Sequence, residues 1–173
     1  MLAQRIVTAI ALVALLAIVL LLLPPVYAVT ALAAMILAGA WEWAALAGLE
    51  SWLVRVAYVG ACAVAMAVLW FATNEPGKFE SVLTVVMLGW IPLFGWIVLA
   101  PGLKLRALAV VAGLWVLAPA WLAVVRLYMQ PEHGRELVVF VLVLVWAADI
   151  GAFFAGRRFG RLRLAPLVSP NKT

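Results

Sequence analysis

The sequence predicts an all-α fold, a polytopic transmembrane helical bundle of about six spanning helices with its amino terminus in the cytoplasm. Two observations carry the class. Hydrophobic residues make up 69% of the 173 residues and charged residues only 11%, which leaves too little polar surface to cover a soluble globule. Leu, Ala and Val also run on in stretches of about 18 residues or more, the length a helix needs to cross the hydrocarbon core. These stretches do not show the period-two alternation expected of the strands of a spanning barrel. A third observation, the uneven division of basic residues between successive loops, orients the bundle.

The first segment, near Ile6–Leu23, follows Arg5 and stops at Pro24-Pro25, which removes two backbone donors and disfavours helix at Leu23. A cleavable signal is the rival reading, suggested by Arg5 and the small residues of Val26-Tyr27-Ala28. The length of the apolar run and the five segments that follow outweigh it. The second segment, near Val26–Leu46, carries Trp41-Glu42-Trp43 toward its end. The third, near Leu53–Ala72, stops before the polar turn formers Asn74-Glu75-Pro76-Gly77-Lys78. The fourth, near Val82–Leu99, holds Pro92 in its interior, and a membrane helix tolerates that as a kink when neighbours or water satisfy the freed carbonyl. The fifth, near Leu105–Val125, precedes Gln130-Pro131-Glu132-His133-Gly134, and the sixth lies near Leu137–Ala155. Residues 156–173 form a basic segment beyond it. The whole of 1–173 reads as one membrane domain without internal repeats.

With the amino terminus inside, the cytoplasmic basic set is Arg5, Arg55, Lys104, Arg106, Arg157, Arg158, Arg161, Arg163 and Lys172, against Lys78, Arg126 and Arg135 outside. Nine against three is the asymmetry that retained cytoplasmic loops show. The basic segment therefore faces the cytoplasm, where nucleotides and phosphorylated metabolites are found, and lies against anionic head groups.

Several side chains are best read as structural. Cys62 has no intrachain partner and reads as a small buried side chain. His133 lies in a predicted loop without a second ligand at metal spacing. The nine Trp residues read mostly as interfacial anchors. Glu42 leaves two readings open, a partner on a neighbouring helix reached across the small residues Ala38, Gly39 and Ala45, or a carboxylate that extends into interfacial water.

Asp149 is the exception. An ionised carboxylate near mid-membrane costs about 2.5–3.5 kcal/mol on insertion scales, so it is expected to face protein or a wet cavity. Trp146, Ala152, Phe153 and Gly156 share its helical face. The Gly156–Gly160 spacing brackets Arg157-Arg158-Phe159, a poor dimer-packing motif, and suggests a turn or a close backbone approach to a ligand. An ordinary positive flank would account for the basic residues taken by themselves. In combination with Asp149 and Ser169-Pro170-Asn171-Lys172-Thr173 they supply a carboxylate, cations and hydroxyl donors, the groups that phosphoryl and nucleotidyl transfer require.

At these residues the chain resembles the phosphatidate cytidylyltransferase (CDP-diacylglycerol synthase) family. The resemblance rests on Ala148-Asp-Ile-Gly-Ala-Phe-Phe-Ala-Gly-Arg-Arg-Phe-Gly160 and Leu164-Ala-Pro-Leu-Val-Ser-Pro-Asn-Lys-Thr173, with support from Gln4-Arg5-Ile6 and Ala40-Trp-Glu-Trp-Ala44. It implies transfer of CMP from CTP to phosphatidate with release of pyrophosphate, a divalent metal (usually Mg2+), and a bacterial inner membrane enzyme of phospholipid synthesis with its site facing the cytoplasm. CTP, phosphatidate and membrane lipids are the partners implied, a homodimer is the implied assembly, and no nucleic-acid partner is expected. By the same resemblance Asp149 is the catalytic and metal-binding candidate, and Ser169, Lys172, Arg157 and Arg158 are the substrate-binding candidates.

The sequence departs from the family pattern at Ile150 and Phe153, where a small hydroxyl residue and a tyrosine are common. The family also continues into further helices and a signature containing Lys-Asp and His-Gly-Gly that this sequence does not contain. The chain is therefore expected to be an amino-terminal fragment, inactive alone, with the remaining metal ligands in the missing part. Two other classes stay open: a transporter or ion-path protein using Asp149 and Glu42, and a related membrane lipid kinase or nucleotidyltransferase with another lipid acceptor. The transporter reading has less support, because the outer halves of the segments carry almost no charge.

Overall fold

The computed structural model describes residues 2–99 and 105–160, the side chains of Leu2, Ala3, Arg5 and Ile6 excepted. These residues form six helices, α1 Leu2–Leu21, α2 Pro25–Leu46, α3 Trp52–Ala72, α4 Lys78–Leu99, α5 Arg106–Tyr128 and α6 Gly134–Phe159. Five of them are long and apolar enough to cross a membrane, and α1 adds the shorter apolar run Val7–Leu21. This is the polytopic helical architecture that composition predicts.

The helices outrun the apolar segments where terminal charges suit the helix dipole. Glu80 in the first turn of α4 and Glu136 in that of α6 face the positive amino-terminal end, while Arg126 ends α5 and Arg157 and Arg158 end α6. The basic segment expected to begin at residue 156 thus gives its first four residues to α6. Helix α6 ends at Phe159, and the N–H of Gly160, its carboxy-terminal cap, donates to the Gly156 carbonyl at 2.8 Å. Pro92 lies inside α4 as expected, and Pro119 is a second interior proline, in α5.

Helix α5 is the centre of the bundle and packs against α2, α3, α4 and α6; α2 packs on α3, and α1 on α2 and α6. Ala40 and Ala44 of α2 and Ala112, Gly113 and Ala118 of α5 are buried, and such small residues let helix backbones approach closely where lipid supplies no hydrophobic drive. Cys62 is fully buried and His133 is exposed, both as the sequence indicates. Gly48 closes α2 in the left-handed conformation at φ 78°, with its N–H on Ala45 and that of Leu49 on Ala44.

The helices alternate in direction, so Arg55, Arg106, Arg157 and Arg158 gather at one end and Lys78, Arg126 and Arg135 at the other. At the first end, Trp43 Nε1 donates to the Ala109 carbonyl at 2.8 Å and Tyr58 Oη to the Val110 carbonyl at 3.1 Å. At the second, Arg126 donates to the Thr73 carbonyl at 2.9 Å and to Asn74 Oδ1 at 3.1 Å, and its guanidinium lies 4.6 Å over the Trp70 ring. That cation sits where the carbonyl end of the α3 dipole favours it. Trp43, Trp70, Trp115 and Trp121 are therefore packing or hydrogen-bonding residues, and the anchor reading suits the exposed Trp41 and Trp52 near helix ends.

Pro24-Pro25 leaves α1 with two carbonyls, Leu20 and Leu21, whose helical donors would have been the missing N–H groups of those prolines. Distant side chains replace both donors. Tyr128 Oη donates to Leu20 at 3.1 Å and Arg135 Nη1 to Leu21 at 3.0 Å, which ties α1 to the α5–α6 corner. Tyr128→Phe leaves a buried carbonyl unpaired and is expected to cost about 1–3 kcal/mol, to be read from unfolding curves in mixed micelles.

Candidate functional site

The face of α6 that packs on the bundle is a stripe at helical spacing. Val138 is buried, Leu142 packs on the core, and Trp146 is half-buried. Steps of three or four residues carry the stripe to Asp149, Phe153 and Gly156. The neighbours cover its beginning only: Gly134 and Val138 are the buried residues of α6, and most side chains from Val143 to Phe159 are exposed.

Asp149 consequently occupies an inward register with none of the described residues covering it. It is exposed and forms no ion pair among the described residues. At membrane depth an uncovered carboxylate is costly, about 2.5–3.5 kcal/mol, so a polar ligand, water or further protein has to meet this face.

Arg157 and Arg158 are both exposed, and the helix separates them. At about 100° and 1.5 Å per residue, Arg157 lies about 12 Å along the axis from Asp149 and about 80° round. Arg158 points to the opposite side, with its guanidinium 5.8 Å from the Phe159 ring. The structure therefore sets Arg157 beside the Asp149 face and Arg158 away from it. Ser169 and Lys172 lie outside the described residues. Glu42 is exposed and forms no ion pair among the described residues, which favours the reading in which its carboxylate reaches interfacial water.

Among the described residues no group of three His, Cys, Asp or Glu side chains converges as a metal site. Asp149 offers a hard oxygen donor of the kind Mg2+ takes, and that ion is commonly held by one or two carboxylates with substrate phosphates and water completing its shell. Asp149 fits the role of one ligand and falls short of a whole site.

The constellation that the sequence did not reveal lies at the same end of the bundle as Arg157. Gly113 leaves the space into which Trp43 and Tyr58 reach to donate to α5, and a Cβ there would overlap Tyr58 Oη and the Trp43 indole. Its only local signal is the small pair Ala112-Gly113. These residues hold the start of α5, and α5 in turn carries α6.

Fold and site together define a polytopic helical membrane protein that presents an uncovered carboxylate and a flanking arginine on one helix. The chain belongs to the cytidylyltransferase family, which it matches over residues 3–173. It is similar to the phosphatidate cytidylyltransferase of Pseudomonas aeruginosa, 38% identical over 179 residues that include 100% of this chain and 64% of the relative. The Haemophilus influenzae protein of the same name is 34% identical over 192 residues, covering 100% of this chain and 66% of the relative. A Brucella suis phosphatidate cytidylyltransferase is 40% identical over a shorter stretch of 62 residues, 36% of this chain and 23% of the relative. The chain thus spans slightly less than two thirds of the length of the first two relatives. No solved structure matches it.

Proposed function

We propose that this chain supplies the membrane scaffold and part of the active site of an enzyme that transfers CMP from CTP to phosphatidate, giving CDP-diacylglycerol and pyrophosphate for phospholipid synthesis. The observation that carries the reading is Asp149, a carboxylate held in the inward register of α6 and left open to a ligand. A phosphate oxygen of phosphatidate attacks the α-phosphorus of CTP and pyrophosphate leaves in line. Asp149 would supply one oxygen ligand to Mg2+, which would offer Lewis-acid stabilisation of the phosphate charge. Arg157 flanks that ligand and steadies the pyrophosphate. Arg158, on the far side of the helix, gathers anionic lipid at the surface. Ser169 and Lys172 contact phosphate groups. The basic asymmetry supports a site on the cytoplasmic side of the membrane.

The test joins residues 1–173 to the remainder of the Pseudomonas aeruginosa relative and supplies radiolabelled CTP with phosphatidate, diacylglycerol or other phosphorylated lipids. Labelled lipid is expected with phosphatidate above the others. A membrane-inserted chimera that labels diacylglycerol instead contradicts the proposed acceptor.

A further inference from the structure

Helix α4 is attached to the bundle through α5. Gly89 has no Cβ, and the Trp115 indole occupies the space, its Nε1 donating to the Val86 carbonyl at 3.3 Å. Held at its middle by this wedge, α4 stands off from α3 and leaves a groove of about 510 Å³ between them, floored by α5. Ala65 and Leu69 form one wall, Val82 and Val85 the other, and Leu114 and Ala118 the floor. Polar side chains, Lys78 and Ser81, line it only at the end where α4 begins. That is the end opposite Asp149, so the groove is separate from the proposed catalytic site.

We propose that this groove holds an acyl chain of a glycerophospholipid whose head group carries both a phosphate and a primary ammonium, as in phosphatidylethanolamine. The groove runs between two spanning helices, where the surrounding solvent is hydrocarbon, and its apolar walls give water no partners. Its mouth carries complementary charges. Lys78 Nζ stands 3.8 Å from Glu75 Oε2, and both side chains are exposed, so a phosphate meets the ammonium of Lys78 while the head-group ammonium meets the Glu75 carboxylate. Glu80, exposed in the same turn of α4, adds a second carboxylate and disfavours a head group that is only anionic. Arg126, the nearby cation at this end, is already bound to Thr73 and Asn74.

A photo-cross-linking residue at Val85, in the chain reconstituted into vesicles of phosphatidylethanolamine and phosphatidylglycerol in equal parts, reads the occupant by the mass of the adduct. The ethanolamine lipid is expected to exceed the glycerol lipid by about threefold, the scale an exposed ion pair supports. The combined change Glu75→Gln, Lys78→Gln and Glu80→Gln should return the ratio to that of the bilayer while the total lipid adduct is unchanged. An adduct in the bulk ratio with native charges, one enriched in phosphatidylglycerol, or a cross-link to a second protein chain overturns the proposal.

Discussion

Asparagine in place of Asp149 is expected to lower Mg2+-dependent CDP-diacylglycerol formation by about 10²–10³-fold in the chimera, the loss typical of removing one preorganised group that offsets developing charge. The substitution keeps the shape of the side chain and the packing of the stripe, because Asp149 makes no ion pair among the described residues that Asn would break. It also removes an uncovered charge whose insertion costs about 2.5–3.5 kcal/mol, so membrane insertion and folding should hold or improve. Activity and stability are thus expected to move in opposite directions, an outcome that a structural role for the carboxylate does not produce. Near-normal turnover in Asp149→Asn would remove this residue from the site.

The second large effect is on the fold. Gly113→Ala places a methyl group where Tyr58 Oη and the Trp43 indole now lie. Accommodating it expels both side chains, breaks their hydrogen bonds to the Ala109 and Val110 carbonyls, and strains the contact of α5 with α2 and α3. Overpacking and two lost hydrogen bonds make a cost on the order of 3–5 kcal/mol. Gly60→Ala is the control. A Cβ there meets nothing within 4 Å, so the change should be neutral or stabilising by up to about 1 kcal/mol through helix propensity. Equal midpoints for the two variants in detergent unfolding would show that the contacts of Trp43 and Tyr58 with α5 do not support the bundle.

The helices were legible because hydrocarbon thickness imposes a length and a polarity that single residues report. Their ends were less so. Arg126 and Arg157 lie in last helical turns, where the dipole favours a cation, and Lys78 and Arg135 lie in first turns that also carry Glu80 and Glu136; hydropathy alone registers each of these charges as a break. What joins the helices was not legible: the donors that replace Pro24 and Pro25 come from Tyr128 and Arg135, more than a hundred residues away. The chemistry shows the same division. The oddity of Asp149 in an apolar run is a local fact that the sequence shows directly. The absence of a covering partner among the described residues depends on neighbours that bury only the beginning of α6, and the placement of Arg157 and Arg158 on different sides follows from helix continuation past Gly156, which the glycine spacing concealed.

The central claim is that this chain serves nucleotidyl transfer at the Asp149 end of the bundle, and the most direct measurement follows which phosphorus of CTP reaches the lipid. CTP labelled at the α-phosphate and, separately, at the γ-phosphate is supplied with phosphatidate and Mg2+ to the chimera and to its Asp149→Asn form. The α-label is expected in lipid and the γ-label in pyrophosphate, both strongly reduced by the substitution. Transfer of the γ-label to lipid, or α-label transfer that does not respond to Asp149→Asn, would contradict the account.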